Sequence, residues 1–300
     1  MSRQVWVCGE VLIDLIPDGT ERRPVVGGGP ANTAKALAKL GITTQFIDGM
    51  SNDIYGQMAS DELLADDVLL DYVKYSDKPT CLAIVSLSDT GGATYEFVID
   101  DTATFDFDRS WLPDAAQLKP SLLHIGTLVT AIEPAASVLF EWAKYVGAYA
   151  PIVFDPNIRP AVMSDRTSYV KQVERWVGIS SAVKVSDDDI YWLYPGQDLD
   201  QVAMRWLGMG PELIVVTFGD KGLAGYRRDS KISVDAKKVV VVDTVGAGDT
   251  VGAILVEAII EDGLDKLTDG RLSLMLDRAA RAAAVTVSRT GARPPGRNEI

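Results

Sequence analysis

VVVVDTVGAGDT, residues 239–250, is the stretch from which the fold can be read. Four β-branched residues in succession predict a fully buried strand. Gly246 and Gly248 then permit a tight turn and close approach of backbone to a ligand. Residues 250–260 are apolar enough for a buried helix, and Gly263 stands where such a helix would stop. Strand, small-residue loop and helix N-terminus therefore follow one another. A helix N-terminus presents unpaired N–H groups and the positive end of the helix dipole, which suits a phosphate. Asp249 falls at that terminus, where its ionised form is favoured. A carboxylate beside donors able to stabilise a transferring phosphoryl group suggests phosphoryl transfer, with Asp249 as general base. Two plainer readings compete: any α/β protein needs glycine in a strand-to-helix turn, and dinucleotide folds also use a glycine loop. The second fails the G-x-G-x-x-G fingerprint, because Val251 stands in the third glycine's place. The G-x-x-x-x-G-K-[ST] phosphate loop is absent from the chain as well.

Upstream of this stretch, from about residue 121, the chain repeats a strand–helix rhythm. Apolar runs at 122–125, 152–154, 182–185 and 213–217 are separated by helix-length segments, and further strands are expected at 223–226 and 232–234. The rhythm predicts an α/β fold: a mostly parallel sheet with helices on both faces. Ligands of such sheets sit at the carboxyl ends of strands. Those ends read GTL (126–128), DPNIR (155–159), SDDD (186–189) and FGDKG (218–222), all polar or glycine-bearing. Arg159 could grip a carboxylate, a phosphate or sugar hydroxyls, or make a surface salt bridge. Asp187, Asp188 and Asp189 could open a helix or reach magnesium through water. His124, the only histidine, lies in a predicted buried strand and reads as a packed residue rather than a base. Residues 270–288 form a long helical segment rich in alanine and arginine.

Nearer the start, residues 4–8 read as a strand ended by Gly9 and Glu10. Residues 11–16 then alternate, with Asp14 inside an otherwise apolar run; it is costly there unless paired or working, or else it faces solvent. Gly27, Gly28 and Gly29 lead to Pro30, suited to a first helical turn, and Ala31, Ala34, Leu37 and Ala38 make an apolar stripe before Gly41. This second glycine loop is either a linker or a polyol site using the Asn32 amide. Strands at 79–87 and 93–99, joined by a turn at 89–92, interrupt the rhythm; with 11–26 they would form a small separate sheet, placed to act as a lid.

The totals narrow the classes. The 300 residues are 47% hydrophobic and 24% charged, a globular composition with ample core. A net charge of −13 argues against nucleic acid or an anionic membrane surface as partner. Two cysteines make neither a disulfide framework nor a zinc site. The opening MSRQVWVCGEVLID lacks a leader's pattern, and no run approaches the ~20 apolar residues of a membrane helix. A cytoplasmic location is expected.

GGGPANTAKALAKLG at 27–41 and DTVGAGD at 243–249, in this order, resemble the ribokinase-like (PfkB-type) sugar kinases over nearly the whole chain. FDPNIRP at 154–160 and KVSDDDI at 184–190 are most similar to the fructokinase branch. The resemblance implies one kinase domain over 1–300, with a lid built from about 11–26 and 72–104. It implies transfer of the γ-phosphoryl group of Mg-ATP to a sugar hydroxyl, most simply fructose to fructose 6-phosphate. A 2-keto-3-deoxygluconate kinase or a ribokinase is the alternative activity; a non-catalytic sugar-binding regulator is the alternative from another class. By position, Asp249 matches the base and Gly246, Ala247 and Gly248 the anion hole. Asp14, Gly28, Asn32 and Arg159 match sugar-binding positions; Thr217, Gly219 and Gly222, together with Gly246 and Gly248, match the nucleotide site. Asp243 and Val245 align with a potassium-binding loop of relatives. The family's N-x-x-E beside magnesium reads Ser186 to Asp189 here, so Asp189 would work with a shorter arm. An open lid edge would be covered by a second copy.

Overall fold

The computed structural model describes residues 4–87 and 93–300. The first half supplies strands β1 (Gln4–Cys8), β2 (Leu12–Asp18) and β3 (Glu21–Gly27), helix α1 (Gly29–Lys39), β4 (Thr43–Ile47), β5 (Gly49–Ser51), α2 (Ile54–Ala65), β6 (Lys74–Ser76), β7 (Leu82–Leu87) and β8 (Ala93–Val98). Helix α3 (Ala115–Leu118), β9 (Leu122–Gly126), α4 (Ala135–Val146), β10 (Ile152–Asp155), α5 (Arg166–Val177), β11 (Ala182–Ser186), α6 (Asp187–Leu193) and α7 (Leu199–Leu207) follow. The chain closes with β12 (Leu213–Thr217), β13 (Leu223–Tyr226), β14 (Lys231–Val234), α8 (Ala247–Asp262) and α9 (Asp269–Val287).

Among the described residues eight strands form the main sheet in the order β14-β13-β12-β11-β10-β9-β1-β4. Every pairing is parallel except those made by β13, which are antiparallel. Because strand side chains alternate, each strand feeds two cores. Trp6, Leu123, Ile125, Phe154 and Val183 face one core, closed by Trp142 of α4, Trp176 of α5 and Trp206 of α7. Val7, Leu122, Val153 and Ala182 face the other, closed by Leu37 of α1, Ile254 of α8 and Leu276 of α9. Helices thus cover both faces, as the rhythm predicts. The same alternation carries His124, Asp155 and Lys184 onto the α8 side.

The small sheet exists, in the order β3-β2-β7-β8, with β2 and β7 parallel and the outer pairs antiparallel. It is narrower than expected: β6, inside the segment 72–81, pairs in parallel with β5 instead. The turn expected at 89–92 lies outside the described residues.

One expectation is overturned. Residues 239–242 are not a buried strand: Val240 is 83% exposed and Val239, Val241 and Val242 are exposed too. β14 already forms the sheet edge, and the run departs from it; the Val242 and Asp243 N–H groups bond only the Val287 carbonyl at the end of α9. A β-branched apolar run has the same sequence pattern whether it fills a core or walls a cleft, and here it walls a cleft. Among the described residues no helix is long and apolar enough to cross a membrane.

Candidate active site

Two helix N-termini meet at the carboxyl end of the sheet. Helix α8 starts from Gly246, whose φ of 81° no β-branched residue would adopt readily. Asp249 falls in its first turn, buried at 8% exposure. From α1, Asn32 Nδ2 donates to Asp249 Oδ2 at 2.9 Å, so one carboxylate oxygen is oriented. The first turn of α8 leaves its N–H groups without helical acceptors, beside that carboxylate.

Burial pushes the Asp249 carboxyl up to about 6; Lys184 opposes the rise and Asp155 adds to it. Lys184 and Asp155 form a buried ion pair at 2.9 Å on the sheet side of α8. Burial works against the Lys184 ammonium, but the Asp155 carboxylate holds its pKa above the ordinary value. A Cβ at Gly248 would come 2.7 Å from Lys184 Nζ. Glycine at 248 therefore leaves room for the ammonium as well as for a ligand.

The glycine loop before α1 is shaped as tightly. Gly28, with φ of 107°, caps α1, and a Cβ there would come 2.4 Å from the Glu10 carbonyl oxygen. Glu10 is itself buried; Thr127 Oγ1 donates to its Oε1, while Oε2 has no partner. Burial pushes Glu10 up to about 7, and Asp14 on β2 up to about 6. Arg159, through its charge, opposes the rise at Glu10, Asp14 and Asp249 alike. Its Nη1 donates to the Ile158 carbonyl at 3.1 Å, and its backbone N–H to Tyr169 Oη.

On the other flank of α8 lies a cleft of about 930 Å³. Thr217, Gly219 and Gly222 line one wall, and Ala247 and Gly248 line the end nearest Asp249. Val239 and Val241 supply an apolar wall. The volume, the apolar lining and the helix N-terminus suit a nucleotide with its phosphates at Ala247 and Gly248, the residues after Gly246, which does not itself line the cleft.

Two sequence-derived positions also hold local structure. Asp189 is a helix cap: Oδ1 accepts the Ile158 N–H at 2.9 Å, Oδ2 accepts the Ser186 N–H, and Ser186 Oγ accepts from Asp189 in return. Each oxygen accepts one hydrogen bond and keeps a second lone pair, and the residue is buried. Asp243 braces its loop, accepting the Val245 N–H at 3.0 Å and the Gly291 N–H at 2.8 Å. Among the described residues no group of three or more His, Cys, Asp or Glu side chains could hold a metal ion. His124 is packed beneath α8 with neither ring nitrogen bonded, and burial pushes its pKa down to about 3, as a core residue rather than a base.

Glu10, Asp155, Lys184 and Thr127 join the site without having been singled out. Lys184 left one signal, a charge at the centre of the apolar strand AVKVS; Glu10 left another, an acid at the carboxyl end of β1.

The profile of the pfkB family carbohydrate kinases matches residues 2–298. A fructokinase of Rhizobium leguminosarum bv. trifolii is 35% identical over 282 residues, 92% of this chain and 85% of that one. A fructokinase double mutant from Vibrio cholerae O395, in its fructose-, ADP- and potassium-ion-bound form, is 26% identical and superposes with a TM-score of 0.88, covering 99% of this chain and 96% of the other. An ATP-bound fructokinase from Xylella fastidiosa, 24% identical, shares the fold with a TM-score of 0.90 over 97% and 94% of the two chains.

Proposed function

The chain belongs to the pfkB family of carbohydrate kinases, and from that premise we propose that it transfers the γ-phosphoryl group of Mg-ATP to D-fructose, giving fructose 6-phosphate, with Asp249 as general base. The observation that carries the reading is the placement of one buried carboxylate. Asp249 stands between the Gly28–Asn32 loop on one side and the cleft ending at Gly248 on the other.

On this reading Asp249 takes the proton of the sugar hydroxyl while that oxygen bonds to the γ-phosphorus. The bond from phosphorus to the ADP oxygen breaks, and charge on the transferring group is met by backbone N–H groups at residues 246–248. Asn32 holds the base in register. Asp14, Gly28 and Arg159 would bind sugar hydroxyls, and Thr217, Gly219 and Gly222 the nucleotide. Magnesium arrives with the ATP phosphates, and Asp189, while capping α6, would reach it through water. Potassium would sit at the loop that Asp243 braces beside Val245; the Vibrio cholerae relative binds that ion. The small sheet would close over the sugar and exclude water, so that ATP is not hydrolysed idly. A second copy pairing along that sheet, and a cytoplasmic location, complete the proposal.

A coupled ADP-release assay with Mg-ATP tests it across fructose, ribose, 2-keto-3-deoxygluconate, glucose and adenosine. Fructose should give the highest turnover. Preference for the keto-acid would keep the kinase but recast Arg159 as a carboxylate clamp, and silence on every sugar with ATP still bound would point to a regulator. In Asp249→Asn, kcat should fall roughly 10²–10⁴-fold, the span for loss of a general base; near-normal turnover would remove that role.

A further inference from the structure

Burying an ammonium is costly, and it needs a reason. Lys184 is 4% exposed, yet its strand neighbours Val183 and Val185 are ordinary core residues. Its position makes the cost worse. It lies against the first turn of α8, where the helix already presents its positive end, so stability alone would favour an apolar residue or a carboxylate there. Nor does the pair with Asp155 account for it, because a buried pair is commonly no better for stability than apolar residues of the same size. What the site gains is a fixed positive charge behind both the base and the backbone that faces the phosphates.

We propose that Lys184 is a positioning residue for phosphoryl transfer, supplying from the sheet side the positive charge that faces the Asp249 carboxylate and the first turn of α8. The inference rests on the reading of Asp249 as general base. Asn32 from α1 donates to that carboxylate, Lys184 of β11 lies against the first turn of α8 with Asp155 of β10 beside it, and Arg159 and Glu10, in the loops after β10 and β1, act on the carboxylate through their charges. His124 of β9 lies under the same helix and stays neutral. Of the charged groups, Lys184 acts most strongly to keep Asp249 ionised and Asp155 acts against it. Asp155 thus holds the ammonium in place at 2.9 Å, and one of its own oxygens has no partner. Gly248 completes the device: any side chain there would displace the ammonium.

The test is the pH dependence of kcat for fructose with Mg-ATP, comparing Asp155→Asn with the double variant Asp155→Asn/Lys184→Met. The comparison differs only in Lys184 and leaves no buried carboxylate stripped of its partner. Asp155→Asn should move the acid limb to lower pH than in the wild type. Adding Lys184→Met should move it back up by about one unit, the least shift expected for a close opposite charge. At a pH below both midpoints the double variant then runs about 10-fold slower relative to its own plateau, with the KM for fructose unchanged. Acid limbs that coincide in the two variants, whatever their plateaus, would overturn the assignment. Should the double variant fail to fold, Asp155→Asn/Lys184→Gln makes the same comparison, and coincident limbs there have the same force. The outcomes stay separable. Turnover surviving in Asp249→Asn sinks the base, whereas an inactive Asp249→Asn with coincident limbs sinks only the role of Lys184.

Discussion

Glu10, Asp14 and Asp249 bring three carboxyls to one end of the sheet, each held above its ordinary pKa by burial. The sign of the consequence follows from proton linkage. A group whose folded pKa is raised binds more protons in the folded state, so its contribution to stability is fully present below the unfolded value and is lost as pH rises through the folded one. For Glu10 that window runs from about 4.5 to about 7. Glu10→Gln keeps an acceptor for Thr127 but carries no charge, so it should match the wild type near pH 4.5 and exceed it at pH 8. A gain on the order of 1–3 kcal/mol, read as a rise of a few degrees in Tm, is the expected size. Thermal unfolding at both pH values measures it, and a Tm difference that does not widen with pH would show that the Glu10 carboxyl is not held up by burial. None of this can be read from the chain alone. Asp249 announces itself by its loop, because the glycines beside it are a local signal; Glu10 and Lys184 matter through what three distant segments bring to them.

At the scale of the element, the site is two helix N-termini fed by glycine loops, and that much is legible in the sequence. Gly28 and Gly246 stand where φ is positive, which is a property of the local chain, and motif spacing finds such positions. The run 239–242 reads as a strand and is not one for a complementary reason: whether apolar residues pair in a sheet depends on whether an unpaired edge is at hand, and that is tertiary information. Asp189 differs again, since its N3 position in α6 makes it a capping residue whatever its distance from the phosphates. The close approach at Gly28 can be separated from its backbone conformation. Gly28 and Gly41 both have positive φ, but a Cβ at Gly41 meets nothing within 4 Å, whereas one at Gly28 runs into the Glu10 carbonyl. Gly41→Ala should therefore cost only about 1 kcal/mol of backbone strain and leave kinetics intact. Gly28→Ala should cost more, and lower kcat/KM for fructose by roughly 10-fold or more through displacement of the loop. Equal kinetic effects of the two variants would mean that the packing of Gly28 on Glu10 does not shape the sugar site.

At the scale of the molecule, the question is what covers the small sheet, whose outer strands β3 and β8 each leave one edge unpaired among the described residues. The two edges are not equivalent. β3 carries exposed Glu21, Arg22 and Arg23, and then Pro24, which has no N–H to offer, so it is defended against pairing. β8 has no proline, and it exposes Thr94, Tyr95, Glu96 and Val98. A second copy would therefore pair through β8. A net charge of −13 on each chain opposes that approach, and added salt should relieve the repulsion. Sedimentation should find a dimer that tightens between low and moderate ionic strength. Tyr95→Lys, which places a like charge on the pairing edge of both copies, should shift it to monomer with the fold intact by circular dichroism. If the wild type sediments as a monomer at every salt concentration, β8 is an edge that the chain leaves open, and any closure of the small sheet over the site is the work of one subunit.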